Sequence, residues 1–343
     1  MAAPTTITLA AACACTSFQV SLTLETSSLP IPVTLCLCNT CRRLSGTCGT
    51  SYAGTVQIND PLSLNLTSYK ASDGVEHCFC STCGAQTLIR AAAKGSWHVA
   101  TGLWDRSEGV TVFKGCKSVT ETLDGGVSVW LDSTGHASKA KLYSGAKNGT
   151  DEERLKASCD CGGVTFYITR PNEESLRARS PFSDLIIPFH TGASSENPQN
   201  EPWWVRDGNT KYMAGTCMCR SCRVASGFEI QTWAFVPKSN IIQEDGTPLV
   251  YSMGTLKRYL STDDVWREFC GVCGATVFWH CGWRPSIVDV SIGLLDPEEG
   301  ARAESWLEWW AGRVSFEELA LNRSLVQRLE EGLRRWGREI GAS

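Results

Sequence analysis

Seven cysteines occur in one order and one internal spacing, and then occur again. Cys13 and Cys15 form C-x-C; Cys36, Cys38 and Cys41 form C-x-C-x-x-C; Cys80 and Cys83 form C-x-x-C. Cys159 and Cys161, then Cys217, Cys219 and Cys222, then Cys270 and Cys273 repeat them. The copies are offset by 146, 181 and 190 residues, so the second holds 35 more residues between its first two clusters (181 against 146). Such a match in order and spacing reads as a tandem duplication. Flanking text agrees: "CSTCGAQTLI" (80–89) parallels "CGVCGATVFW" (270–279), and "VATGLW" (99–104) parallels "VSIGLL" (290–295).

A length of 343 residues suits two domains. They are predicted at 1–145 and 150–343, with the junction in the polar stretch 133–153. Domains of that size bury a core without staples, so the cysteines answer a chemical need. The N-terminus lacks a basic region, and threonines interrupt its apolar stretch, which argues against a secretory signal. The expected compartment is the cytoplasm, or the nucleus, where thiols stay reduced and clustered cysteines point to metal. The net charge of −4 is spread along the chain, so neither a nucleic-acid partner nor a membrane surface is expected. Oligomeric state cannot be read from the sequence.

Between clusters the pattern is mainly β. "SFQVSLTL" (17–24), "VTFYI" (164–168), "FEIQTWAFV" (228–236) and "IVDVSIGLL" (287–295) read as strands. One clear helix is predicted at the C-terminus. Ser315 and Glu318 are read as its capping box, and Leu325, Leu329, Leu333, Trp336 and Ile340 form a stripe packed on the second domain.

Alternate residues on a strand face one way, so both sulfurs of a C-x-C can face one ion. In C-x-x-C-G the chain turns tightly, and Gly84 and Gly274 supply the backbone freedom. Cys13 and Cys15 with Cys80 and Cys83, and Cys159 and Cys161 with Cys270 and Cys273, therefore make two four-thiolate zinc sites of the closed structural kind. A thioredoxin-like redox pair would need a helix starting at the C-x-x-C, whereas strand-like text follows; disulfides across the clusters are the other alternative. Cys36, Cys38 and Cys41, and Cys217, Cys219 and Cys222, are left with three sulfurs each. An open fourth position is the mark of a catalytic zinc. Three thiolates leave zinc a weak activator of water, yet soft ligation welcomes a further sulfur. The vacancy reads as a seat for a substrate thiol. Cys48, Cys78 or His190 would close it if one of them is a fourth ligand.

"SCDCGGVTF", "TCMCRSCRVASG" and "EFCGVCGAT", with "LCLCNTCRRLSG" and "CFCSTCGA" in the first copy, resemble the glutathione-dependent formaldehyde-activating enzyme family, which includes centromere protein V-like proteins. The resemblance covers both halves and looks like the tandem arrangement of filamentous-fungal members. It implies two zinc-bearing β-tent domains, two zinc ions in each, and a carbon–sulfur lyase activity. That activity joins glutathione, as co-substrate, to formaldehyde, a related small aldehyde, or the carbon of a thioether. The three-cysteine sites would be the reaction centres. The first copy departs from the pattern with "CACTS" where C-x-C-G is expected, so its turn is expected to be altered. The second carries an insertion, 170–205, read either as a pocket wall lined by Trp203 and Trp204 or as a loop packed by them on its own domain. Arg220 and Arg223, and Arg42 and Arg43 in the first copy, are candidates for gripping glutathione carboxylates. His98 and His280 sit in strand text and are read as core or edge residues. The competing class is a non-catalytic zinc module for chromatin or protein partners. Its discriminator is a three-cysteine cluster that is buried or closed by a fourth ligand.

Overall fold

The computed structural model describes residues 5–132 and 154–341, apart from positions 72, 73, 92 and 94. The junction predicted in 133–153 lies outside the described residues. The architecture is mainly β, with the same succession of elements in each half. The first half opens with an antiparallel hairpin, Thr6–Ala12 with Gln19–Glu25. Next comes a parallel pair, Ile31–Cys36 with Thr111–Lys117. A five-stranded antiparallel sheet follows in the order Tyr52–Gln57, Ser96–Ala100, Gln86–Arg90, Glu76–Cys80, Leu66–Lys70.

The second half repeats this with Arg154–Ser158 and Thr165–Thr169 as its hairpin. Its large sheet runs Lys211–Cys217, Gln231–Pro237, Ile287–Ser291, Thr276–Cys281, Val265–Cys270, Leu256–Thr262, and Leu307–Trp309 pairs parallel to Lys211–Cys217. The predicted strands are present, with edges moved by a few residues.

Five α-helices occur among the described residues: α1 Asn39–Ser45, α2 Ser128–Leu131, α3 Glu173–Arg177, α4 Arg220–Ser226 and α5 Arg323–Ile340. Helices α1 and α4 grow out of the three-cysteine motifs. The first cysteine ends a strand, the second caps the helix, and the third sits in its first turn. Cys219 Sγ accepts the Cys222 amide at 3.4 Å, and Cys38 Sγ accepts that of Cys41 at 3.4 Å. A sulfur in the capping position satisfies an amide that would otherwise lack a partner.

The C-terminal helix has a different cap from the one predicted. Asn322 accepts the Leu325 amide at 3.0 Å. Ser315 donates to Asp184 Oδ2 at 3.1 Å, and Glu318 lies in a short 3-10 turn. The stripe of α5 also serves both halves. Leu325, Leu329, Leu333 and Trp336 are buried, Trp336 meets Trp130 of α2 edge-on, and Ile340 is exposed. A Cβ on Gly332 would stand 1.8 Å from the Trp130 carbonyl oxygen, so glycine permits that approach. None of the helices is long and apolar enough to cross a membrane.

The halves pack as a pseudo-symmetric pair. The Gly102 amide donates to the Gly227 carbonyl at the end of α4 (2.9 Å), and the Gly293 amide donates to the Gly46 carbonyl at the end of α1 (3.1 Å). The main core runs through the second half into Leu35, Leu37 and Leu44 of the first, and a second core fills the first half.

Candidate metal centres and active site

Each hairpin turn brings its C-x-C sulfurs inward. The Phe18 amide donates to Cys13 Sγ and the Val164 amide to Cys159 Sγ, both at 3.3 Å. The turn closes through a left-handed residue, Gly162 (φ 72°) in the second half and Thr16 (φ 62°) in the first. The altered turn expected of "CACTS" is therefore absent; the same turn forms with threonine in a conformation that favours glycine. Gly84 and Gly274, both at φ 76°, close the C-x-x-C turns as predicted.

Those turns converge. The sulfurs of Cys13, Cys15, Cys80 and Cys83 lie within 4.8 Å of one another, as do those of Cys159, Cys161, Cys270 and Cys273. Cys15 to Cys80 and Cys161 to Cys270 are each 3.5 Å. Disulfide sulfurs would stand about 2.05 Å apart. Four sulfurs around one zinc, each bonded at about 2.3 Å, would stand somewhat under 4 Å apart. All 18 cysteines are free, so the donor sets fit a cation and not cross-links.

Cys36, Cys38 and Cys41 form one three-sulfur group, and Cys217, Cys219 and Cys222 the other. None of Cys48, Cys78 and His190 joins them. Cys48 pairs with Thr232 at 3.4 Å, and His190 faces Glu318 at 3.4 Å. In the second group, hydrogen bonding from Cys217 and Cys222, with the charge of Arg267, pulls the Cys219 thiol well below its ordinary range. The same sulfur contacts, with burial, push Cys217 up.

The two groups differ in what lies beside them. Cys217, Cys219 and Cys222 line a cavity of about 560 Å³. Its walls come from three parts of the fold: Phe182 to Leu185 and Phe189 of the insertion, Trp233, Phe235 and Trp279 of the sheet, and Ser315, Phe316 and Leu319 before α5. The insertion is thus a pocket wall, though not through the predicted residues. Trp203 and Trp204 are buried behind it, donating to the Pro181 carbonyl at 3.0 Å and the Ser175 carbonyl at 2.9 Å. The Trp203 ring stands edge-on to Phe235, 5.1 Å away. None of Cys36, Cys38 and Cys41 lines this cavity.

The arginines also sort differently. Arg220 lines the cavity, as a carboxylate grip requires. Arg223 does not. It is buried and donates to the carbonyls of Gly102 and, at 2.9 Å, Trp104, so it binds the two halves together. Arg42 is buried, and Arg43 pairs with Asp296 of the second half at 2.6 Å.

Four charged groups that the sequence reading did not name lie in the cavity wall: Asp184, Arg267, Arg284 and Asp289. Arg267 is buried; its Nη2 donates to Ser221 Oγ at 2.9 Å and to Cys222 Sγ at 3.3 Å, while its Nε and Nη1 have no hydrogen-bond partner among the described residues. Asp289 pairs with Arg284, and burial raises its carboxyl to about 6 against the pull of that arginine. Asp289 is a lone charge inside the apolar strand "IVDVS", and Arg267 stands beside Glu268 in the otherwise apolar "VWREFC"; those were the available signals. His98 and His280 lie away from the sulfur groups; His280 stacks on Tyr251 at 4.0 Å and faces Glu268 at 3.0 Å.

A family model described as glutathione-dependent formaldehyde-activating enzyme matches residues 8–114 and 206–313. The second match begins after the insertion and omits Cys159 and Cys161, which the hairpin nevertheless brings to Cys270 and Cys273. No curated protein matches the chain.

Proposed function

Because this chain belongs to the glutathione-dependent formaldehyde-activating enzyme family, we propose that its second half is a zinc-dependent carbon–sulfur lyase that adds a thiol to a carbonyl carbon and reverses the addition. Glutathione and formaldehyde are the pair the family name gives, with a related aldehyde or thioether as the wider class. The reading is carried by one observation: a three-sulfur group with no fourth ligand among the described residues lines a cavity large enough for a small molecule.

Cys217, Cys219 and Cys222 would hold the zinc of the reaction centre, and the two four-cysteine sets would hold structural ions. Cys36, Cys38 and Cys41 would hold a fourth. When bound at the open site, zinc supplies a soft fourth position that stabilises a substrate sulfur as thiolate at neutral pH.

The chain's own groups do the remaining work. Arg267 donates to Cys222 and offsets the negative charge gathered on the three sulfurs. Arg220 stands in the cavity wall, where a substrate carboxylate can meet it. The apolar wall keeps water from the carbonyl carbon. In the forward direction the carbon–sulfur bond forms and the carbonyl π pair moves to oxygen, which takes a proton. Asp289, whose carboxyl burial raises to about 6, is the nearby group suited to carry that proton both ways. No electrons leave the reactants, and no nicotinamide is required.

The division into units 1–145 and 150–343 is proposed on the same ground, since each carries one full cysteine set. The reduced cytoplasm or nucleus is the proposed compartment, because free thiolates persist there. The test is exchange-rate NMR on the glutathione–formaldehyde adduct, with the zinc-loaded chain beside a Cys217→Ser/Cys219→Ser double variant. Faster exchange with the intact chain alone is expected. Equal rates would favour a non-catalytic zinc module.

A further inference from the structure

The cavity is built for more than formaldehyde. Seven aromatic side chains line it, with Trp283 and Phe189 at its rim. Trp283 and Phe189 are exposed at 56% and 44%, and Leu319 at 49%, so large apolar surface stands uncovered at its rim. Such surface is costly to leave in water and marks a ligand face.

Of the acidic and basic groups in the wall, Asp184 is fully engaged and Arg284 pairs with Asp289, whereas Arg267 keeps two donors unpaired among the described residues. Asp184 accepts from the amides of Phe189 and Phe316, both at 2.8 Å, from Ser315 Oγ at 3.1 Å, and from Arg313 at 2.8 Å. Arg284 is spent on Asp289. The polar parts of a thiol such as glutathione can meet Arg220 and the unpaired Arg267 donors, but the aromatic side chains offer them nothing. An aldehyde of two heavy atoms would leave most of about 560 Å³ unfilled. Sites of this size and lining suit drug-sized apolar ligands, which fill roughly 300–1,000 Å³.

We propose that the second-half site takes a carbonyl partner carrying a flat, ring-sized apolar body, held between the insertion and the Trp279–Trp283 side of the sheet. The thiol's polar part lies toward Arg220. This rests on the thiol–carbonyl reading above and names the other reactant: an aromatic or polycyclic aldehyde, or, in the reverse direction, the hemithioacetal made from it. The reaction balances as before. The thiol sulfur bonds to the carbonyl carbon, the π pair goes to oxygen, and the thiol proton ends on that oxygen.

The experiment uses two S-blocked probes, S-(2-naphthylmethyl)glutathione and S-methylglutathione, titrated calorimetrically into the zinc-loaded full chain. Burial of one aromatic body predicts at least about tenfold tighter binding of the naphthyl probe. Trp283→Ala and Phe189→Ala, both at the exposed rim, should each erase much of that ratio and leave the methyl probe nearly unchanged. Trp283→Phe should retain it. A ratio near one, or a ratio indifferent to both alanine variants, overturns the proposal. A separate arm follows addition of glutathione to 2-naphthaldehyde. No acceleration there, with the binding ratio intact, would overturn the chemistry of the preceding section and support the cavity assignment.

Discussion

Phe79 and Phe269 meet edge-to-face, with ring centroids 6.5 Å apart and planes at 67°. They are the same position in the two repeats, each one residue before the first cysteine of its C-x-x-C. Each ring covers the other half's turn glycine. A Cβ on Gly274 would stand 2.3 Å from Phe79 Cγ, and one on Gly84 would stand 2.3 Å from Phe269 Cγ. An approximate two-fold axis therefore passes between the two rings.

That geometry makes Gly274→Ala costly twice over. The left-handed backbone is disfavoured for alanine, and the methyl meets a buried ring, so a loss of roughly 2–4 kcal/mol is expected in chemical denaturation. Adding Phe79→Ala should recover part of the clash penalty. The double-mutant cycle then gives a coupling energy; simple additivity would show that these residues do not touch in solution.

Cys273→Ser and Cys219→Ser should separate the two kinds of site. Cys273 belongs to a closed set whose metal contributes folding free energy, so its loss should cost on the order of 3 kcal/mol or more. Cys219→Ser keeps a side-chain acceptor at the cap of α4 and should cost less than about 1 kcal/mol, while removing activity. Elemental analysis of reduced wild type should approach four zinc ions per chain. Equal thermal destabilisation by the two serines would contradict an open site at Cys219.

Thr16 is a place to gain stability. Thr16→Gly relieves about 1–2 kcal/mol of left-handed strain and gives back about 0.4–1 kcal/mol to the freer unfolded chain. A net gain of about 0.5–1 kcal/mol should appear in urea titrations, and Gly162→Thr should show the reverse sign.

The pH dependence of Asp289 has a definite sign. Its carboxyl is raised from 3.8 to about 6 on folding, so the folded chain holds the proton between those values. Stability from this group is present below about 4 and is lost as pH rises through about 6. Cleavage of the adduct, which needs the hydroxyl proton removed, should speed up through about 6. Asp289→Asn should flatten that limb of the pH–rate profile; an unchanged limb would assign the proton to another group.

The four-sulfur groupings were legible because C-x-C and C-x-x-C dictate local turns, and a metal needs both. The strands were legible from their alternation. What escaped were relations across the chain. Arg223 looked like a substrate grip because it adjoins Cys222, yet the roughly 100° step between neighbours on a helix aims it at carbonyls of the other half. Arg267 lies 45 residues from Cys222 and still donates to it, through strand pairing that no local pattern announces. Trp203 and Trp204 drew attention as large aromatics, whereas Phe182 and Leu185 of the same insertion reach the cavity. The helix cap moved from Ser315 to Asn322 because Asp184, far back in the insertion, takes the Ser315 hydroxyl.

Arg223 begins in the motif that frames the cavity and ends on carbonyls of the first half. Tolerance to mutation should therefore not fall off with distance from the chemistry. A change at Gly102 or Trp104, in the half whose own sulfur group does not line the cavity, acts on the footing of the helix that carries Cys222. Either half expressed alone would begin with its sister's side of that footing missing. Once duplicated, the two copies ceased to be separable units of inheritance: one could lose its own substrate face and still be required, residue by residue, to hold the other in shape.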